Sequence, residues 1–138
     1  MSVDLILEKK EIFKEVIDLA KKREYAENTS SSNGGSIEEL ANRLSDKNNP
    51  EKEAYKKLNI YINSLTIEEI MMLQTVMYIG RDEDYDSQIS PEENFKSFNE
   101  YLYEKGINDK RIEASQITQK VPLATYLERG LEILEVKL

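Results

Sequence analysis

Residues Leu65 to Asp86 read LTIEEIMMLQTVMYIGRDEDYD, and the apolar half of this stretch decides the fold. From Ile67 to Ile79, apolar side chains stand at Ile67, Ile70, Met71, Met72, Leu73, Val76, Met77, Tyr78 and Ile79. They cover nearly the whole circumference of a helix, and a helix apolar all round belongs in the middle of a core. Thr66 and Glu69 form a capping box at its start, with Leu65 placed to pack on Ile70 as a hydrophobic staple. At the other end, Gly80 is expected to be the left-handed residue just past the helix, with Arg81 facing the last carbonyls.

Working outward toward the amino terminus, Pro50 opens a helix capped by Asn49, with Ala54, Tyr55, Leu58, Tyr61, Ile62 and Leu65 at helical spacing. Before it, Ser36 and Glu39 form another capping box for a short helix ending near Ser45. Asn28 to Gly35, NTSSSNGG, offers no apolar burial to offset the entropy of ordering and is expected to be a flexible loop. From Val3 to about Tyr25 the sequence predicts one amphipathic helix, carrying Ile6, Phe13, Val16, Ile17 and Ala20. Leu5, Ile12 and Leu19 widen its stripe, so it is expected to meet more than one neighbour. Lys21, Lys22 and Arg23 form the only concentrated basic run and are read as a helix end, where cations complement the carbonyls.

Toward the carboxyl terminus, Ser90, Pro91 and Glu93 supply cap, first position and capping-box partner for a helix with Phe95, Phe98, Tyr101 and Leu102, stopped near Gly106. Asn108 or Asp109 starts a short helix through Ile112 to Ile117. Pro122 opens the last helix, with Leu123, Tyr126, Leu127, Leu131 and Leu134 on one side. Gly130 falls inside that helix at a cost of about 1 kcal/mol relative to Ala, so another backbone is expected to approach it closely. Nowhere does two-residue alternation bounded by hairpin turns appear. The fold class expected is therefore all-α: one compact domain over residues 1–138, of about six or seven helices around a central one at 67–79.

Composition excludes several function classes. With no Cys and no His, the 138-residue chain has no thiolate nucleophile, no imidazole base, and no zinc site built on those ligands. Its net charge of -8 disfavours direct nucleic-acid binding, which needs a surplus of cations on some face. Acids and lysines interrupt the first residues, and no segment reaches the length of a membrane span, so the protein is expected to be cytoplasmic with no membrane partner. Neighbouring carboxylates such as Glu68 with Glu69 point in different directions on a helix, and no glycine-rich phosphate loop or GxSxG motif is present. No catalytic and no cofactor-binding residue is assigned.

The acidic loop offers one specific site. Asp82, Asp84 and Asp86 alternate, and Glu93 stands at the twelfth position counted from Asp82, which is the ligand spacing of an EF-hand calcium loop. Ser87 occupies the sixth place, where that loop uses glycine, and Ser90 with Pro91 is accounted for by helix capping. A solvated acidic turn is the default reading, and a calcium-binding helix-loop-helix at 82–93 is the alternative.

Leu58, Ile62 and Leu65, followed by Glu69, Leu73, Met77, the helix end YIGRDEDY and the block ATYLERGLEIL at Ala124 to Leu134, resemble domain of unknown function 3775, a family of small bacterial proteins. The likeness covers about Leu58 to Leu134. It implies no established activity, cofactor or catalytic residue, and it directs attention to Gly80, Arg81, Glu128 and Gly130. An ion pair between Arg81 and Glu128 is the expected architecture.

The function expected from these readings is that of a small acidic protein acting non-catalytically, through an unidentified protein partner or in regulation. Its wide first-helix stripe offers either a groove for a partner helix or a homodimer contact. An inhibitor of the phage type, imitating nucleic acid with its acidic surface, is a second reading.

Overall fold

A computed structural model describes residues 3–31, 50–83, 85–106, 109–120 and 122–138. They form seven helices: α1 (Val3–Glu8), α2 (Lys10–Ser31), α3 (Pro50–Asn63), α4 (Ile67–Asp82), α5 (Pro91–Glu104), α6 (Lys110–Thr118) and α7 (Leu123–Ile133). Among the described residues there is no strand, so the fold is all-α.

Helix α4 is the centre, as its apolar circumference requires. Every residue from Ile70 to Met77 is buried, and α5, α6 and α7 pack around it, α7 most extensively. Helix α2 lies on α3 and α7, and α3 also meets α6. The capping box is complete: Thr66 Oγ1 accepts from the Glu69 N–H at 3.2 Å, and the Thr66 N–H donates to Glu69 Oε1 at 2.9 Å. Two polar residues on α4 fix how it is rotated in its apolar surroundings. Asn99 donates to Thr75 Oγ1 at 3.0 Å, and Gln74 donates to Glu113 Oε1 at 3.2 Å, all four residues being buried. An apolar helix alone would tolerate other rotations, but these would strand buried polar groups.

The first helix departs from expectation. It is two helices meeting at Lys9, where the Ile12 N–H bonds to the carbonyl three residues back at 3.0 Å instead of four. The reason is tertiary: α1 packs on α5 whereas α2 packs on α3 and α7, so the wide stripe serves two directions. Lys9 Nζ reaches Glu69 Oε2 at 2.9 Å and ties this bend to the first turn of α4.

Helix α2 also runs further than predicted, through Ser31, so the first four residues of the Asn28–Gly35 segment are helical. The helix continues past the buried Ala26 because the small helix-propensity deficits of Asn, Thr and Ser do not outweigh continued backbone hydrogen bonding. Residues 32–35, the predicted helix from Ser36 to Ser45 and the Asn49 cap lie outside the described residues.

At the end of α4, Gly80 is inside the helix and buried, not beyond it. Glu83 takes the left-handed conformation instead, at φ 51°, with its N–H bonded to Ile79 O at 2.9 Å. Ser90 caps α5, and Gly106 follows it at φ 74°. Asp109 caps α6 by accepting from the N–H groups of Arg111 and Ile112 at 3.0 and 3.2 Å.

The capping box has a measurable acid signature. The Thr66 N–H holds the Glu69 carboxyl below its ordinary value, and Lys9 adds to the effect. A lowered folded-state pKa contributes stability that is present above the unfolded value of about 4.3 and is lost as pH falls through the folded value. Glu69→Gln is therefore expected to lower the urea midpoint more at pH 6 than at pH 3. An equal loss at both would show that the carboxylate charge is not involved. Thr66→Ala is expected to cost about 1 kcal/mol at pH 6.

Candidate functional site

Helices α2 and α7 diverge enough to leave a groove of about 740 Å³, closed along one side by residues 135–138. Its floor is apolar: Ile17 from α2, Leu131 from α7 and Val136 from the final segment, each nearly buried. Its rim carries three lysines, Lys14, Lys21 and Lys137, and four carboxylates, Asp18, Glu128, Glu132 and Glu135. Leu138 stands at the edge with 40% of its surface exposed.

Local backbone chemistry builds the closed side. After Leu134 the chain turns back, with the Glu135 N–H bonded to Glu132 O at 3.0 Å and the Val136 N–H to Leu131 O at 2.9 Å. This paired pattern ends many helices and normally places glycine at the left-handed position. Here that position is Glu135, at φ 57°. The turn is held because it delivers Val136 into the core. Glu135→Gly is accordingly expected to raise stability by about 0.5–1 kcal/mol, since the left-handed penalty of an L residue exceeds the entropy cost of glycine. A thermal melt unchanged or lowered would contradict that assignment.

Across the groove, Lys21 Nζ lies 2.6 Å from Glu128 Oε1, both side chains about half exposed. The hydrogen bond from Lys21 to Glu128 raises the lysine pKa, aided by Coulombic attraction from the same carboxylate. Asp18 pairs with Lys22 at 3.0 Å, and Glu132 with Arg129 at 3.1 Å.

Of the four motif residues, the structure brings two together and separates the others. Gly80 and Gly130 meet where α4 crosses α7. A Cβ on Gly130 would lie 2.1 Å from Val76 O, and one on Gly80 would lie 1.8 Å from Tyr126 O. The close backbone approach predicted at Gly130 is thus present, and Gly80 is its counterpart.

The expected pair of Arg81 with Glu128 is not formed. Arg81 instead grips Asp82, with Nε and Nη2 at 2.8 and 3.1 Å from its two carboxylate oxygens, while the guanidinium sits 4.5 Å from the centre of the Tyr78 ring. Glu128 has been taken by Lys21. A helix end placed three residues later turns Arg81 toward its own neighbour, and the position of α2 decides the partner of Glu128.

Two aspartates of the acidic loop are engaged locally. Asp82 is bound by Arg81, and Asp86 Oδ1 accepts from the Gln88 N–H at 2.8 Å. Asn94 anchors the Asp86 backbone, accepting from its N–H and donating to its carbonyl, each at 2.9 Å. Glu93 sits exposed in the first turn of α5, its N–H donating to Ser90 Oγ at 3.1 Å. Asp84 lies outside the described residues. Among the described residues there is no group of three or more His, Cys, Asp or Glu placed to hold a metal ion.

Sequence reasoning missed the most buried cation among the described residues. Arg23 is 1% exposed, donates from its two terminal nitrogens to the carbonyls of Thr118 and Lys120, and faces the Tyr55 ring at 6.0 Å. It complements a helix carboxyl end, as expected of the basic run, but the end is that of α6 and not of its own helix. The signal was available: Phe13, Val16, Ala20 and Arg23 follow one another at helical steps, which puts Arg23 on the apolar stripe.

No family model, curated protein or solved structure compared with this chain matches it. No helix among the described residues is long and apolar enough to cross a membrane.

Proposed function

We propose that the protein acts without catalysis, as an interaction module that engages a protein partner through the α2–α7 groove. The observation that carries this reading is the groove itself: an apolar floor of Ile17, Leu131 and Val136 inside a rim of charges of both signs, with a volume of about 740 Å³. Apolar floors supply the burial that drives association, and charged rims set orientation and partner choice. The absence of His and Cys agrees with a non-catalytic role, since those residues carry much of acid–base and nucleophilic chemistry.

A photo-crosslinking side chain at position 14, on the groove rim, is the direct test in cells that make this protein. It is expected to yield one discrete protein adduct, and the same group at Ile112, exposed on α6 and away from the groove lining, is expected to yield none. Equal labelling from both positions, or none from position 14, would remove the groove as the interaction site.

A further inference from the structure

We infer that the occupant of the groove is a second copy of this chain, related by a two-fold axis passing near Val136. This rests on the groove being the interaction site, and it adds the identity of the partner. Two copies of a chain with net charge -8 repel through most pairs of faces. The groove rim is an exception, because its three lysines nearly balance its four carboxylates. A surface that meets itself about a two-fold axis must be self-complementary, and a rim of both signs meets that condition where a uniformly acidic face does not.

The final segment sharpens the match. Lys21, Asp18, Glu128 and Glu132 all have ion-pair partners within their own chain. Glu135 and Lys137 have no ion-pair partner among the described residues, although both stand exposed on the rim with opposite charges two residues apart. A two-fold axis between them sets Lys137 of one copy against Glu135 of the other, and the reverse, so that one contact is made twice. Val136 lies between these charges on the apolar floor, and the half-exposed Leu138 is carried toward the floor of the opposite copy.

Sedimentation velocity of the full chain, across a concentration series in low salt, tests the inference. A reversible dimer is expected, weakening as salt screens the paired charges. Lys137→Glu is expected to weaken dimerisation by about tenfold or more, because each substitution places like charges together twice. Glu135→Lys is expected to do the same. The double swap, Glu135→Lys with Lys137→Glu, reverses both signs and is expected to restore the wild-type dissociation constant. Both sites are exposed, so at concentrations low enough that every chain is monomeric, thermal melts of all three variants are expected to match wild type to within a few tenths of a kcal/mol. A dimer indifferent to the single substitutions, or a double swap no tighter than they are, overturns the two-fold arrangement. Monomers throughout, with the position-14 crosslink still yielding a different protein, would eliminate the second copy and leave the interaction reading standing. Neither dimer nor crosslink would end both.

Discussion

Gly80→Ala is expected to destabilise the protein by about 3 kcal/mol, enough to lower the melting temperature by about 10 °C. The added Cβ would stand 1.8 Å from Tyr126 O, 2.6 Å from Gly130 N and 2.8 Å from Tyr126 C. All three obstacles are backbone, so no rotamer change relieves them and α7 must move away from α4. That movement would loosen the most extensive helix–helix contact among the described residues. Gly130→Ala is expected to act similarly through Val76 O, and the double variant is expected to cost less than the sum, because one displacement of α7 serves both. Gly106→Ala supplies the control. It has positive φ but nothing within 4 Å of its added Cβ, so only conformational strain of about 1 kcal/mol is expected. A melt for Gly80→Ala no lower than that for Gly106→Ala would show that the two helices do not approach as described.

Arg23→Met is expected to cost about 3 kcal/mol, read as a fall in the urea midpoint with unchanged slope. Methionine keeps the apolar stem among its buried neighbours but leaves the carbonyls of Thr118 and Lys120 without the guanidinium. These carbonyls close the carboxyl end of α6, where a cation also interacts favourably with the aligned peptide dipoles. Arg23→Lys is expected to fall between wild type and Met, since an ammonium keeps the charge and loses the fork that reaches two acceptors at once. Lysine as damaging as methionine would mean that charge contributes nothing, and lysine without effect would mean that the fork does not matter. In either case the link from α2 to α6 would need another explanation.

The helices themselves were legible because their signals are local. Thr66 with Glu69, Ser90 with Pro91, and Asp109 each satisfy amide groups at a helix start within three residues, whatever the rest of the chain does. The burial of Ile70 to Met77 was legible for a related reason, since a helix without a polar face has no stable place at the surface. The bend at Lys9 was not, because both halves of that stretch are good helix and only the positions of α3, α5 and α7 force them apart. Gly80 shows the same limit. A glycine near a helix end serves equally well as a left-handed stop or as a place of close approach, and the nearness of Tyr126 decides between them.

The groove was the least legible part. Lys14, Ile17 and Lys21 sit on one helix and Glu128, Leu131 and Val136 more than a hundred residues away, so no spacing in the chain relates them. Glu128 was singled out for the right reason, a carboxylate beside core positions, and paired with the wrong cation. A surface carboxylate takes whichever cation the packing of apolar faces brings within reach, and here that was Lys21 at 2.6 Å. The sequence by itself determined the all-α class, the starts of α4, α5 and α6 and the identity of the buried central helix, because capping and hydrophobic periodicity act over three or four residues. Only the tertiary structure decided which backbones touch at Gly80 and Gly130, which carbonyls receive Arg23, and that α2, α7 and the final segment leave an apolar floor open between them. Those outcomes depend on the relative placement of whole helices, which is set by the packing of many side chains together and by no single motif.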